Sequence, residues 1–327
     1  MRPGAVMDER SRWAIVGALL GAVFLGVALR QADPASTWAI VREADLTWSL
    51  VALVSGMAFM LIKALRWRLL LRPVTESDVG TLHRAVYIGT AANLVVAHAG
   101  ELLRATLLAR RAHVPGSAVL ATIFLERVLD FAALVALIAV ALLWDPAVSP
   151  LLATTGLVAL ALFACGVLAV AAIVRPIGWA GRLAHRLLQW VPARAHRGLL
   201  ARFGQCAAAL GAIRALRVWA AALALSLVQW ACIVTAVWAS VQAVGSSVGL
   251  PVAIAVFALT VLGLTLASPP AQLGTTQLAF VLALEMAGQS ASTAFAASVV
   301  YTAFVVLVMM ALGAICWMRS DWSRATS

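Results

Sequence analysis

A long apolar run over residues 117–143 carries three charged residues in its interior, Glu126, Arg127 and Asp130. With a helical rise of about 1.5 Å per residue, Arg127 lies roughly 15 Å from Ser117, near the middle of a bilayer. A charged side chain at that depth costs at least about 2.5–3.5 kcal/mol when it faces lipid. We therefore expect the three side chains to face protein or water, and charges buried in this way commonly mark a functional site.

The composition indicates a membrane protein rather than a soluble one. The chain is 64% hydrophobic and 11% charged, and its mean hydropathy is +1.00. The net charge of +11 comes from arginines that cluster between apolar runs, as the positive-inside rule predicts, so it does not indicate nucleic-acid binding. The four cysteines are far apart in the sequence and form no CxxC pair, so we expect neither disulfides nor a metal site.

The apolar runs predict an all-α, polytopic helix bundle. Six runs are long enough to span a membrane, and they cover residues 13–29, 47–65, 117–143, 151–174, 218–241 and 291–317. We expect the run 13–29 to be an uncleaved span rather than a signal peptide, because the charged residues Arg30 and Asp33 stand where a cleavage site would follow. Two more apolar regions, 87–111 and 251–288, are interrupted by Gly or Pro, and each half is short for a span.

The arginines orient these runs. All basic clusters lie on the cytoplasmic side only if residues 87–112 and 251–288 are re-entrant hairpins that enter from opposite faces, with both termini cytoplasmic. The prediction is one domain over 1–327, with six spans and two hairpins in an inverted repeat. Eight ordinary helices are the alternative. A basic amphipathic segment at about 176–216 is expected on the cytoplasmic surface.

Polar residues at the two breaks and in the third span are the candidate substrate-binding residues. They are Asn93, His98, Glu101, Arg104, Glu126, Arg127, Asp130, Gln272 and Gln277. The residues expected to permit the breaks are Gly100, Pro269, Pro270 and Gly274. Glu101 and Arg104 could bind a zwitterionic or phosphate-bearing group, because arginine suits phosphate. The alternatives are a structural ion pair among Glu126, Arg127 and Asp130, and a turn whose charges are solvated.

Catalysis is not expected. The sequence has no GxSxG, HExxH, P-loop or dinucleotide-binding motif, and it has no large soluble region that could hold a catalytic site. An enzyme that uses Glu101 and Glu126 as acid and base would also need a nucleophile or a metal, and neither accompanies them. We predict no cofactor.

Four segments together resemble a known family. They read KALRWRLLL (63–71), N-x4-H-x-GE-x2-R (93–104), ERVLD (126–130) and PP-x3-G-x2-Q (269–277). In this order they resemble the lysylphosphatidylglycerol synthase transmembrane-region family, whose members are flippase-like membrane proteins. The chain departs from the family pattern at Val96 and His98 before GE, at Thr302 in the last span, and in the second break at Ser268, Ala271, Gln272 and Gln277. The second hairpin has thereby lost an acidic group.

The resemblance implies a translocase for a lipid or a lipid-linked amphiphile in the bacterial inner (cytoplasmic) membrane. The expected partners are anionic or phosphate-bearing membrane lipids, not nucleic acid. The alternative function is that of a non-transporting membrane partner of a lipid-modifying or glycosyl-transferring enzyme. A lipid-modifying enzyme or further copies of the chain, in a homo-oligomer, are the other partners expected.

The predicted topology is testable by cysteine labelling. In a background without the four native cysteines, Gly116→Cys should react with a membrane-impermeant reagent from the cytoplasm, and Gly249→Cys from the outer face. Reversed labelling at either position would rule out the arrangement of two opposed hairpins.

Overall fold

In a computed structural model, the described part of the chain consists of helices and short connections. It comprises residues 9–96, 99–144, 149–174, 204–206, 208–211, 213, 215–266 and 269–319. The first seven helices are α1 (Glu9–Gln31), α2 (Pro34–Arg42), α3 (Leu46–Leu71), α4 (Val79–Val95), α5 (Ala99–Ala112), α6 (Gly116–Trp144) and α7 (Ser149–Val174). From residue 216 onwards the helices are α8 (Leu216–Ala243), α9 (Leu250–Leu266), α10 (Thr275–Met286), α11 (Ala291–Tyr301) and α12 (Val308–Met318). A 3₁₀ turn (Pro270–Gln272) precedes α10, and a π-helical segment (Thr302–Leu307) joins α11 to α12.

Five of the predicted spans coincide with helices that are long and apolar enough to cross a membrane. These helices cover Leu46–Leu71, Gly116–Trp144, Leu152–Ala171, Leu216–Ala243 and Ala291–Met318. The first predicted span lies within α1, of which Leu19–Gln31 forms a shorter apolar helix. An all-helical, multi-pass membrane protein is therefore confirmed, whereas the short helix α2 was not predicted.

Aspartates fix where three of the helices begin. Asp33, Asp45 and Asp78 occupy the N-cap positions of α2, α3 and α4. Their carboxylates accept hydrogen bonds from backbone N–H groups two or three residues later, at 2.6–2.9 Å. Each bond satisfies an N–H group that the helix itself leaves without an acceptor. The negative charge of the aspartate also interacts favourably with the partial positive charge at the helix N-terminus.

Helices α3 and α8 pack against each other along their length and form the centre of the bundle. They are antiparallel, because the Asp45 N–H at the start of α3 donates to the Ala243 carbonyl at the end of α8 (2.8 Å). The pair α4–α5 packs on α12, and the pair α9–α10 packs through α9 on α6. Each broken pair therefore rests on the last long helix of the other half of the chain.

The two broken pairs open towards opposite ends of the bundle. The loops before α9 and after α10 meet where Ser246 Oγ donates to Gln289 Oε1 (2.7 Å). This is also the end where α3 begins and α8 stops. In contrast, α4 starts where α3 ends, and α5 returns to that end before α6 begins. Exposed arginines surround this second end, which we call the basic end: Arg68, Arg72, Arg84, Arg110, Arg111, Arg217 and Arg319.

The breaks differ in detail from the sequence expectation. Helix α4 begins at Val79, well before residue 87, because Asp78 caps it. Gly100 does not form the turn but lies in the first turn of α5, where a Cβ atom would overlap the carbonyl of Gly89. In the second break, Gly274 has a φ of 85°. Of the predicted features, His98, Ser268 and most of the segment 176–216 lie outside the described residues.

The Gly89–Gly100 contact gives a stability prediction. Gly100→Ala should separate α4 from α5 and lower the melting temperature of the purified protein, at an overpacking cost of about 1–3 kcal/mol. Gly26→Ala is the matched control, because no atom lies within 4 Å of its added Cβ. Equal melting temperatures for the two variants would contradict the close helix contact.

Candidate functional site

A fully buried arginine, Arg66 of α3, lies at the centre of the candidate site. Its Nη1 is 2.6 Å from Oδ1 of Asp130, and its Nη2 is 3.4 Å from Oε1 of Glu126. Both carboxylates come from α6, where they lie four residues apart and so share one face of the helix. Arg66 therefore joins α3 to α6 through two charged contacts.

A second arginine reaches the same carboxylates from the first broken pair. Nη2 of Arg104, on α5, contacts the other oxygen of Glu126, Oε2. Its guanidinium also lies over the ring of Trp67, 4.7 Å from the ring centroid, a cation–π geometry. The Trp67 indole in turn donates to Thr122 Oγ1 at 3.2 Å. These contacts hold α5 against α3 and α6.

Helix α8 completes the site from the second half of the chain. Ser226 donates to the Ala222 carbonyl and accepts a 2.8 Å hydrogen bond from Nη1 of Arg66. The Trp230 indole donates to Oδ1 of Asp130 at 2.9 Å. The first half supplies the charges, and the second half supplies neutral groups that orient them.

The remaining charged residues lie at the edge of this arrangement. Nη2 of Arg127 is 3.0 Å from Oδ2 of Asp130, but the Arg127 side chain is 40% exposed whereas that of Asp130 is 9% exposed. Glu101 interacts electrostatically with Arg127, Lys63 and Arg104. We refer to Lys63, Arg66, Glu101, Arg104, Glu126, Arg127 and Asp130 together as the charge cluster.

Along α3 and α6, the charge cluster lies nearer to the basic end of the bundle than to its opposite end. At about 1.5 Å per residue, Arg66 lies about 8 Å before the end of α3, and Arg104 about 12 Å before the end of α5. Glu126 lies about 15 Å after the start of α6 on the same scale.

The charge cluster has an excess of cations and several unused hydrogen-bonding atoms. Its four basic and three acidic side chains give a formal charge of +1 when all are ionised. Within the described residues, three donors of the charge cluster (Arg66 Nε, Arg104 Nη1 and Arg127 Nε) and two acceptors (Glu101 Oε2 and Asp130 Oδ2) are buried without a hydrogen-bond partner. Buried polar atoms are usually satisfied, so donors left free beside excess positive charge are suited to the oxygens of an anionic group.

The predicted residues of the two breaks have backbone contacts of their own. Asn93 Oδ1 accepts from the Gly100 N–H, and Gln277 Oε1 accepts from the Gly274 N–H, both at 2.7 Å. Gln277 Nε2 also donates to Thr302 at 3.2 Å. Among the described residues, no hydrogen bond or ion pair joins Asn93 or Gln277 to the charge cluster. The same holds for Gln272, although α4 packs against the turn that contains it.

Sequence reasoning missed Arg66, Trp67, Ser226 and Trp230. It counted Arg66 among the basic residues that mark the cytoplasmic end of a span, yet Arg66 is buried while Arg68 is exposed. A usable signal was the helical spacing. Arg66 and Trp67 follow Lys63 by three and four residues, so both lie near Lys63 on the helix surface, whereas Arg68 does not. For Ser226 and Trp230 the i, i+4 spacing was the only hint.

Metal binding has no support in the described residues, since no three His, Cys, Asp or Glu side chains there form a group that could hold an ion.

A family model described as the lysylphosphatidylglycerol synthase TM region matches residues 14–313, which include the whole charge cluster and both broken helix pairs. No curated protein matches the chain.

The burial of Arg66 predicts an order of stability among arginine variants. Removing one partner of a buried ion pair typically costs about 3–5 kcal/mol, so Arg66→Ala should give the largest fall in melting temperature and in yield of monodisperse protein. Arg127→Ala should cost less because its side chain is partly exposed, and exposed Arg68→Ala should have little effect. If Arg66→Ala were as stable as Arg68→Ala, the central role of Arg66 would be wrong.

Proposed function

Because the chain belongs to the lysylphosphatidylglycerol synthase transmembrane-region family, we propose that it moves a lipid or lipid-linked amphiphile between the leaflets of the bacterial inner membrane. The observation that carries the proposal is the charge cluster itself. Its excess positive charge and free arginine donors lie among helices long and apolar enough to cross a membrane. Charges are costly in that position and are typical of substrate or ion pathways.

The proposed topology has six spans and two re-entrant hairpins, α4–α5 and α9–α10, with both termini in the cytoplasm. Three observations support it: the pairs open to opposite ends, each packs on the other half, and exposed arginines surround one end. Opposed broken helices of this kind are typical of inverted-repeat transporters, whose substrate sites lie where the repeats meet.

In this proposal the substrate's phosphate enters past Arg127, the most exposed arginine of the charge cluster. It then reaches the free donors of Arg104 and Arg66, while the acyl chains stay in lipid. A phosphate oxygen would compete with Glu126 for Arg104, because both offer charge-assisted hydrogen bonds of similar strength. Loss of the Arg104–Glu126 pair would free α5 from α6 and couple substrate binding to movement of the hairpin.

We propose no chemical step for this site. The carboxylates Glu126 and Asp130 are engaged by Arg66, Arg104 and Arg127, an arrangement suited to holding charge in place. Binding and release of an amphiphile require no cofactor.

A second function has one observation in its favour. Every carboxylate oxygen of Glu126 and Asp130 lies within ion-pair distance of an arginine, so the arrangement is also what a purely structural network would show. In that case the chain would be a non-transporting partner of a lipid-modifying or glycosyl-transferring enzyme. Lipid movement by the purified protein distinguishes the two functions.

Reconstituted vesicles test the translocase proposal. With fluorescent phosphatidylglycerol in both leaflets, the wild-type protein should make the inner-leaflet probe accessible to a membrane-impermeant quencher. Arg104→Gln should slow this at least about tenfold, because a charge-assisted contact to phosphate is lost. Arg217→Gln, the same change at an exposed position of the basic end, is the control.

Two results would contradict the proposal in different ways. A wild-type protein that moves neither anionic nor zwitterionic lipids would favour the partner function. Normal transport by Arg104→Gln, with folding intact, would retain the translocase but exclude the charge cluster as its site.

A further inference from the structure

The second helices of the two broken pairs differ in the charge of their first turn. Helix α5 carries an acidic residue there, Glu101, whereas the first turn of α10 contains none. A helix N-terminus bears a partial positive charge that a nearby carboxylate stabilises. The start of α10 lacks such an anion from its own sequence.

At the start of α10, the helix offers no acceptor to its first backbone N–H groups. The first bond of the helix runs from the Leu278 N–H to the Gly274 carbonyl at 2.9 Å. The N–H groups of Thr275, Thr276 and Gln277 precede it, so the helix offers them no acceptor. Gly274 has no side chain that could cap them, and the Gln277 side chain instead accepts from the Gly274 N–H.

Two buried hydroxyls lie in the same turn without partners. Thr275 is 4% exposed and Thr276 is 1% exposed, and neither Oγ1 atom has a hydrogen-bond partner among the described residues. The hydroxyls of Thr260 and Thr265 in α9 show the usual alternative, since each donates to the carbonyl four residues earlier at 2.8 Å.

The residues four positions before Thr275 and Thr276 explain why these hydroxyls do not donate to a helix carbonyl in the same way. Ala271 and Gln272 have φ values of 53° and 60°, so their carbonyls are not part of a helix that continues into α10. The hydroxyls are thus left in a buried position where unsatisfied polar atoms are unfavourable. The N–H groups that the helix leaves without an acceptor and the two unpartnered hydroxyls lie in the same turn, and both would suit an acceptor from a ligand.

We propose that the first turn of α10 binds the oxygens of a phosphate group, as a second site apart from the charge cluster. This inference rests on the proposed function, in which the phosphate belongs to the translocated amphiphile. Helix N-termini bind phosphate through backbone N–H groups, and the hydroxyls of Thr275 and Thr276 add two neutral donors. Neutral Gln277 leaves the turn without an internal anion that would compete.

Helix α1 forms one wall of this site. A Cβ atom on Gly274 would overlap the Gly21 carbonyl, and a Cβ atom on Gly21 would lie 2.5 Å from Pro269. A phosphate bound at this turn would therefore lie beside α1.

Variants of the first turn test the proposal through ligand-dependent stability. Gln277→Glu places a carboxylate in the turn, so it should raise the melting temperature without ligand and weaken phosphate binding at least about tenfold. Thr275→Val and Thr276→Val keep the side-chain shape and remove the hydroxyls, so each should also weaken binding. The matched control is Gln289→Glu, which lies beyond the other end of α10 and whose carboxylate can still accept from Ser246.

The probes are inorganic phosphate and micelles that contain phosphatidylglycerol, each compared with chloride at equal ionic strength and with diacylglycerol micelles. We expect both phosphate probes to raise the melting temperature of the wild type above these references. Stabilisation by phosphatidylglycerol alone identifies a lipid headgroup as the ligand, and stabilisation by inorganic phosphate alone identifies a soluble one.

The site is overturned if neither probe stabilises the wild type, or if Gln277→Glu and both valine variants bind as the wild type does. The vesicle assay keeps this outcome separate from the proposed function. Lipid transport with unchanged binding in these variants would exclude the site alone, whereas weakened binding in a protein that moves no lipid would exclude the translocase alone.

Discussion

The contact of Arg66 with Glu126 and Asp130 is the interaction on which the arrangement of the bundle depends. A guanidinium with no exposed surface, on a helix that crosses a membrane, needs anionic partners close enough to offset the loss of its hydration. Both partners come from α6, and they are held in turn by Arg104 from α5 and Trp230 from α8. Four helices must therefore pack together before any one of these charges is compensated.

Such a network restricts which conformations the protein can adopt. Removing one charge leaves another exposed to a low dielectric, so partial separation of the helices is unfavourable unless another charged group replaces the lost partner. In the proposed function, the phosphate of the substrate would be that replacement, and the unpartnered donor atoms on Arg66, Arg104 and Arg127 would bind it.

The parts of this fold that follow from local sequence were predictable. Apolar length identified the long helices, and the position of Glu126, Arg127 and Asp130 within one run identified α6 as carrying the site. The contribution of Arg66 was not predictable in the same way, because at the end of an apolar run a buried arginine and a topology-determining arginine look alike. Only the contacts of Arg66 with α6 and α8 distinguish a buried arginine from a topology-determining one, and these contacts join residues 60 to 160 positions apart in the sequence.

In the two broken helix pairs, too, some features were predictable from local sequence and others depend on packing between helices. Gly, Pro and short apolar halves indicated where the helices stop, but the N-cap at Asp78 sets the true start of α4, and the tight approach of Gly89 to Gly100 depends on the antiparallel packing of α4 and α5. The free hydroxyls of Thr275 and Thr276 depend on the left-handed backbone of Ala271 and Gln272, which no rule for non-glycine residues would have suggested.

The π-helical segment between α11 and α12 changes which neighbours the last part of the chain can face. Residues before it pack on α2, α8 and α10, whereas residues after it pack on α4, with Gly313 close against Ala91. Each residue of an α-helix turns the chain by about 100° around the helix axis. A regular α-helix in place of the π-helical segment would therefore not direct α11 towards α2, α8 and α10 and also direct Gly313 towards α4. The length of this segment thus acts as a rotational offset, and losing a single residue from it would turn Gly313 away from α4 while leaving α11 in place.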